Sequence, residues 1–178
     1  MPHPAAIQTM AVPAHSRVHA LLAGASFHDC YSVLLDDTRS TALQHFLHAV
    51  ADTPAWVNGL MRLRNRTVAL FGLKDLGALG AVDRQRPEAS YRPGDRVGIF
   101  TLRAISDDEV VLGDSDRHLD VAVSVLRLPL TPEGQRPLAV STVVKTHNLL
   151  GQLYMLPVAP LHRRIVPAVL HGLKTRQP

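Results

Sequence analysis

The sequence is short of the residues from which most recognisable sites are built. Its 178 residues include one cysteine, Cys30, which excludes an intrachain disulfide framework and any cysteine-rich zinc site and suits a reducing compartment. Aromatic residues make up only 4%, too few for the stacking platforms of a nucleic-acid binder. Three of the 19 bases are lysines and the arginines are scattered, so the net charge of +4 and the pI near 9.7 read as solubility rather than a nucleic-acid footprint. No apolar run approaches the roughly 20 residues needed to span a bilayer. Pro13, His15 and Arg17 break the stretch Met1–Gly24, which therefore lacks the apolar core of a signal peptide. A cytoplasmic protein without nucleic-acid partner or membrane span is expected.

Familiar catalytic signatures are missing as well. Gly72, Gly77 and Gly80 are not followed by Lys-Ser or Lys-Thr and do not have dinucleotide-fingerprint spacing, so no phosphate loop is indicated. Ser124 and Ser141 lack the glycine-flanked turn that exposes a hydrolase serine. Asp114, Asp116 and Asp120 lack the glycine and terminal glutamate of a calcium loop and read as hairpin chemistry. Asn65-Arg66-Thr67 is a formal glycosylation sequon inside a helical pattern. His45 and His48 stand three apart on a helix, without an acidic residue at complementary spacing, and read as a solvated face. Cys30 reads as a small core residue. No metal and no cofactor is expected, and whether the chain is an enzyme is left open.

What is present is a core-forming pattern: 46% hydrophobic against 19% charged residues is the balance of one globular domain at this length. Residues 1–15, with three prolines and no periodicity, read as a flexible arm, and residues 16–174 as the domain. Ser16 is placed to cap a short helix carrying Val18, Leu21 and Leu22, with Gly24 at its end. Alternation in Tyr31, Val33 and Leu35 predicts a first strand over 29–35. Helical spacing follows in Leu43, Phe46, Leu47 and Val50 after Ser40. A second helix begins at Thr53-Pro54, with Trp56, Val57, Leu60, Met61, Val68 and Phe71 on one stripe, and ends near Gly72. Residues 73–95 read as an irregular crossing. Strand segments at 97–104, 109–113, 119–128 and 138–147, separated by turn residues, predict an antiparallel meander. The last segment, 148–174, is helical but contains Pro157, Pro160 and Pro167, which predicts two pieces or a kinked helix, the second opening at Pro160. The expected fold is α+β: about five antiparallel strands on a long, proline-kinked C-terminal helix, with two helices inserted after the first strand.

Val144-Lys145-Thr146-His147-Asn148-Leu149-Leu150-Gly151, followed by Tyr154, Pro160, His162 and Arg163, resembles a motif of the bacterial family called domain of unknown function 2867. Residues 25–33, the Gly94–Gly98 turn and His118-Leu119-Asp120 also look like that family. The resemblance implies a helix-grip fold, similar to START lipid-transfer domains, pollen allergens and polyketide cyclases, with a cavity between sheet and terminal helix, and implies no established activity. It also makes a short-chain dehydrogenase-like partner an expectation, since such domains are joined to family members.

Candidate ligand-binding residues follow from strand parity and from that motif. His118 and Asp120 are two apart on one strand, Lys145 and His147 on another, so each pair shares a face. Directed toward the terminal helix, they would join Tyr154 or His162 in a polar cluster able to orient a ligand or move a proton. The first expectation is a module binding a small apolar or amphipathic molecule. The alternatives are a cyclase, isomerase or hydrolase using a His/Asp acid–base pair, and an interaction module docking through the apolar terminal segment or the Arg62, Arg64 and Arg66 surface.

Overall fold

A computed structural model describes residues 7–69, 79–83 and 85–175. Seven antiparallel strands form one sheet: β1 (Gln8–Thr9), β2 (Phe27–Leu35), β3 (Arg96–Val97), β4 (Phe100–Ile105), β5 (Glu109–Ser115), β6 (Leu119–Arg127) and β7 (Arg136–Thr146). Their order is β1-β2-β7-β6-β5-β4-β3. The helices are α1 (Ala42–Ala51), α2 (Ala55–Ala69) and α3 (Leu149–Thr175). The class is the one the pattern predicts, with a fuller sheet than the five strands expected.

Two physical details account for the two extra strands. The predicted strand over 97–104 is a hairpin: Gly98 takes φ +59°, and the chain folds back so that Arg96 pairs with Thr101 and Val97 with Phe100. The other addition comes from the expected arm. Over residues 7–15 it is not loose: Gln8 and Thr9 pair with β2, the Met10 amide donates to the Cys30 carbonyl, and Val12 is buried. Residues 1–6 lie outside the described residues.

Register sorts the sheet into two faces. The inner face carries Tyr31, Val33 and Leu35 of β2, Leu138 and Val140 of β7, Val123 and Val125 of β6 and Val110 and Leu112 of β5. These pack with Leu43, Phe46 and Val50 of α1 and Leu170 and Leu173 of α3 in one core. The outer face mixes small residues, among them Ala139, Ser141, Ser124 and Ala122, with Val111, Leu126 and Val143, and is covered by the segment Val12–Leu22. Ser16 does not cap the short 3-10 helix His19–Leu22. Its hydroxyl is 2.8 Å from Glu109 Oε1, which also accepts from Ser124 Oγ at 2.7 Å. Cys30, beside Ser141 on this face, is buried, and burial pushes its thiol pKa up.

α1 starts one residue later than Ser40: Thr41 caps it with a reciprocal pair of bonds, Gln44 amide to Thr41 Oγ1 and Thr41 amide to Gln44 Oε1. α2 begins after Pro54 as its sequence requires. Trp56, expected on the buried stripe, is 47% exposed, while Val57 is fully buried. The expected positions Phe71 and Gly72 lie outside the described residues.

α3 runs through Pro157, Pro160 and Pro167 as one helix, so of the two expected forms, two pieces or a single kinked helix, the two-piece form is excluded. A proline removes the hydrogen bond to the carbonyl four residues earlier. Those carbonyls belong to Leu153, Leu156 and Arg163, all exposed, so water can satisfy them and the helix need not end. Among the described residues no helix is long and apolar enough to cross a membrane.

Candidate functional site

Between the inner face of the sheet and the helices lies a cavity of about 280 Å³. Its floor is apolar, from Val121, Val123 and Val125 of β6 and Val140 and Val144 of β7. Its walls and roof come from Phe46 of α1, Leu60 and Met61 of α2, and Met155, Val158, Leu161 and Ile165 of α3. A site of this kind needs only a few polar groups to orient a ligand. Here those groups include His118, Tyr154 and His162 from the expected set, with Arg64, Thr142 and His45.

The six expected residues do not form one cluster. Asp120, Lys145 and His147 line no part of the cavity. Leu119, Val121, Val123 and Val125 occupy the inner face of β6, so Asp120 is on the opposite face, with Lys145 its cross-strand partner on β7. His147 Nε2 pairs with Asp120 Oδ2 at 3.0 Å, with side chains 33% and 47% exposed. Burial, which raises the Asp120 pKa, is outweighed by hydrogen bonds from His147 and Ser115, so the carboxyl lies below its ordinary value. An exposed pair of this kind adds little stability. Lys145 and His147 lie with Asp120 on the outer face, whereas His118 precedes β6 and turns into the cavity from the β5–β6 turn, so strand parity does not hold for it.

His118 does reach the cavity, but both ring nitrogens are occupied. Nε2 accepts from Arg117 Nε at 2.8 Å, and Nδ1 meets the Asn148 amide, 3.0 Å from Nδ2 and 3.2 Å from Oδ1. The same Asn148 oxygen accepts from the Gly151 amide at 3.0 Å, and its Nδ2 donates to the Arg117 carbonyl at 3.0 Å. Asn148 thus caps α3, and His118 ties that cap to the β5–β6 turn. Tyr154, one turn on, accepts from Arg64 Nε at 3.1 Å, and the guanidinium lies 5.6 Å from its ring centre, joining α2 to α3.

His162 is two helical turns further, roughly 12 Å along α3 from Tyr154. Its Nδ1 donates to Asp29 Oδ2 at 2.9 Å, and its Nε2 lies 3.4 Å from Thr142 Oγ1. Asp29 of β2 and Thr142 of β7 are register partners on the inner face, and Phe27 meets the imidazole edge-on at 5.7 Å. Asp29 and Thr142 were missed as site residues. The signal was there: Asp29 falls in phase with Tyr31, Val33 and Leu35, and Thr142 with Leu138, Val140 and Val144, so each is a polar residue in an apolar register.

His45 is the other unexpected group. It does not share a solvated face with His48: it is 3% exposed, lines the cavity, and its Nε2 is buried without a hydrogen-bond partner among the described residues. Burial pulls its pKa down to about 4; Asp37 opposes this, while Arg127, His48 and Arg136 reinforce it. The unfolded chain takes up this proton near pH 6.5 and the folded one only near 4, so stability is full above pH 6.5 and is lost as pH falls toward 4. The loss at this position is expected to be about 2–3 kcal/mol. Urea unfolding of His45→Leu between pH 7 and 4 should give a flatter stability profile than the parent by that amount; parallel profiles would contradict it. Among the described residues no three ligating side chains gather as a metal site.

Among the described residues the sheet, three helices and a largely apolar cavity between them define an α+β protein. The profile of the family described as "Protein of unknown function (DUF2867)" matches residues 21–169, and the chain belongs to that family. No curated protein and no solved structure matches it.

Proposed function

We propose that the protein binds a small apolar or amphipathic molecule in the cavity between the sheet and α3. One observation carries this reading: an apolar chamber of about 280 Å³, close to the size at which small-molecule sites begin, furnished with isolated polar groups rather than filled by side chains. The order strand, two helices, meander and long terminal helix fits the helix-grip arrangement, which supports the same reading. The single cysteine, buried and free, suits a reducing compartment such as the cytoplasm.

Titration with 1-anilinonaphthalene-8-sulfonate tests the proposal. The dye should bind with one site and a rise in fluorescence. Met155→Trp, which sets a larger ring into the chamber from α3, should weaken binding at least tenfold while leaving the circular dichroism spectrum unchanged. A folded Met155→Trp variant that binds the dye like the parent would rule the chamber out as the site.

A further inference from the structure

We propose that His162, held by Asp29, is an acid–base group that moves a proton on an apolar ketone bound in the cavity; this rests on the cavity being the ligand site. Val140, Val144, Val158 and Leu161 of β7 and α3 line the cavity with apolar surface, so a polar trio on β2, β7 and α3 stands out. Asp29 and Thr142 face each other across neighbouring strands, and His162 descends from α3 to meet both. The carboxylate takes the Nδ1 proton at 2.9 Å, which fixes the ring's orientation and directs Nε2 toward Thr142. That second contact is long, 3.4 Å, and a ligand can displace it. Two further polar atoms lack partners among the described residues: His45 Nε2 in the same cavity and Asp29 Oδ1. Buried polar groups are rarely left unpaired, and a ligand carrying one oxygen among apolar carbons is the chemistry that would satisfy His45.

Proton transfer fits this trio better than acyl transfer. Thr142, His162 and Asp29 have the order of a nucleophile, base and orienting acid, but Thr142 sits on β7, paired along its length with both β2 and β6. The strand therefore offers no free backbone N–H beside Thr142 to receive an oxyanion. In the proposed step, His162 Nε2 takes a proton from the carbon next to the ketone. The C–H electron pair becomes the C=C bond of an enolate whose negative charge rests on oxygen; the imidazolium exchanges its Nε2 proton with solvent and returns a proton, in D2O a deuteron, to the same carbon. No other reactant is consumed. His162 would be the catalytic residue and Asp29 a positioning residue.

The test follows exchange of the C1 protons of 2-tetralone in D2O by proton NMR, using the full chain, with displacement of 1-anilinonaphthalene-8-sulfonate as the binding readout. Exchange should exceed that with an equal concentration of free imidazole by about a hundredfold, the low end for positioned acid–base groups. His162→Gln should bind tetralone and exchange at the imidazole background. Asp29→Asn should bind it, lose most of the exchange, and change the proton occupancy of the two ring nitrogens in the ¹⁵N spectrum of His162, which a merely structural role would leave alone. Tetralone that displaces the dye yet exchanges at background, or a His162→Gln variant as active as the parent, overturns the inference while sparing the cavity reading. Dye that binds but resists tetralone overturns the ketone assignment, and failure of the dye to bind removes both.

Discussion

Gly151→Ala is expected to cost about 3 kcal/mol and to lower the melting temperature by roughly 6–12 °C. A Cβ at this position would stand 2.3 Å from the His118 carbonyl oxygen and 3.1 Å from its carbon. The oxygen is not free to retreat, because it accepts the His147 amide at 2.8 Å. The helix must therefore lift, and lifting it stretches the Asn148 cap and the His118 contact that seat the start of α3. Gly59→Ala is the control: it lies inside α2 with nothing within 4 Å of its Cβ position, and removing a helical glycine should add about 0.5–1 kcal/mol. Urea unfolding followed by circular dichroism measures both. A Gly151→Ala variant as stable as the parent would show that α3 docks with slack.

This glycine gives the motif around residues 144–163 a physical meaning that its letters did not carry. Read as candidate chemistry, Lys145, His147 and His118 suggested a polar cluster; in space Lys145 and His147 stand with Asp120 on the outer face, and His118 holds the start of the last helix. Asn148 caps, Gly151 permits the close approach, and His118 bridges to the hairpin turn. Of the polar side chains in that stretch, only Tyr154 and His162 line the cavity, with His118 beside them.

What was legible in the sequence was what local periodicity encodes. The 3.6-residue spacing of α1 and α2 and the alternation in β2 and β6 located those elements, because burial of one face is a local pattern. Less legible was anything set by contacts between distant residues. Gly98 looks like an ordinary strand residue until its positive φ turns the chain. The prolines of α3 read as breaks because the exposure of Leu153, Leu156 and Arg163, whose carbonyls they leave unbonded, is a tertiary fact. His162 was found, but its partners Asp29 and Thr142, 133 and 20 residues away, become neighbours only through the β2–β7 pairing. Strand parity sorted Lys145 and His147 onto one face but not His118, which lies before β6 begins, and only the helices could tell which face turns inward.

The N-terminal segment is the case where long-range polar contacts decide most, and Glu109→Ala is expected to release it at a cost of about 3 kcal/mol. Glu109 is 5% exposed on the outer face. Its Oε1 accepts from Ser16 Oγ and Ser124 Oγ, the Arg17 amide reaches both oxygens at 3.0 and 3.3 Å, and Arg17 Nε lies 3.6 Å from Oε2. Removing the carboxylate leaves the Ser16 and Ser124 hydroxyls only their mutual 3.3 Å contact and strands the Arg17 amide, each of the three lost bonds costing about 1 kcal/mol. The Arg17 charge adds little, because that side chain is 54% exposed and can turn to water. Glu109→Gln keeps an acceptor for the hydroxyls but sets an NH2 group toward the Arg17 amide, and should cost about 1 kcal/mol. With the anchor gone, Val18 has only apolar contact to hold it, so trypsin should cut after Arg17 in Glu109→Ala well before it cuts the parent, with Glu109→Gln between them. Equal cleavage rates in all three proteins would mean that burial of Val12 and Val18 alone keeps the segment on the sheet.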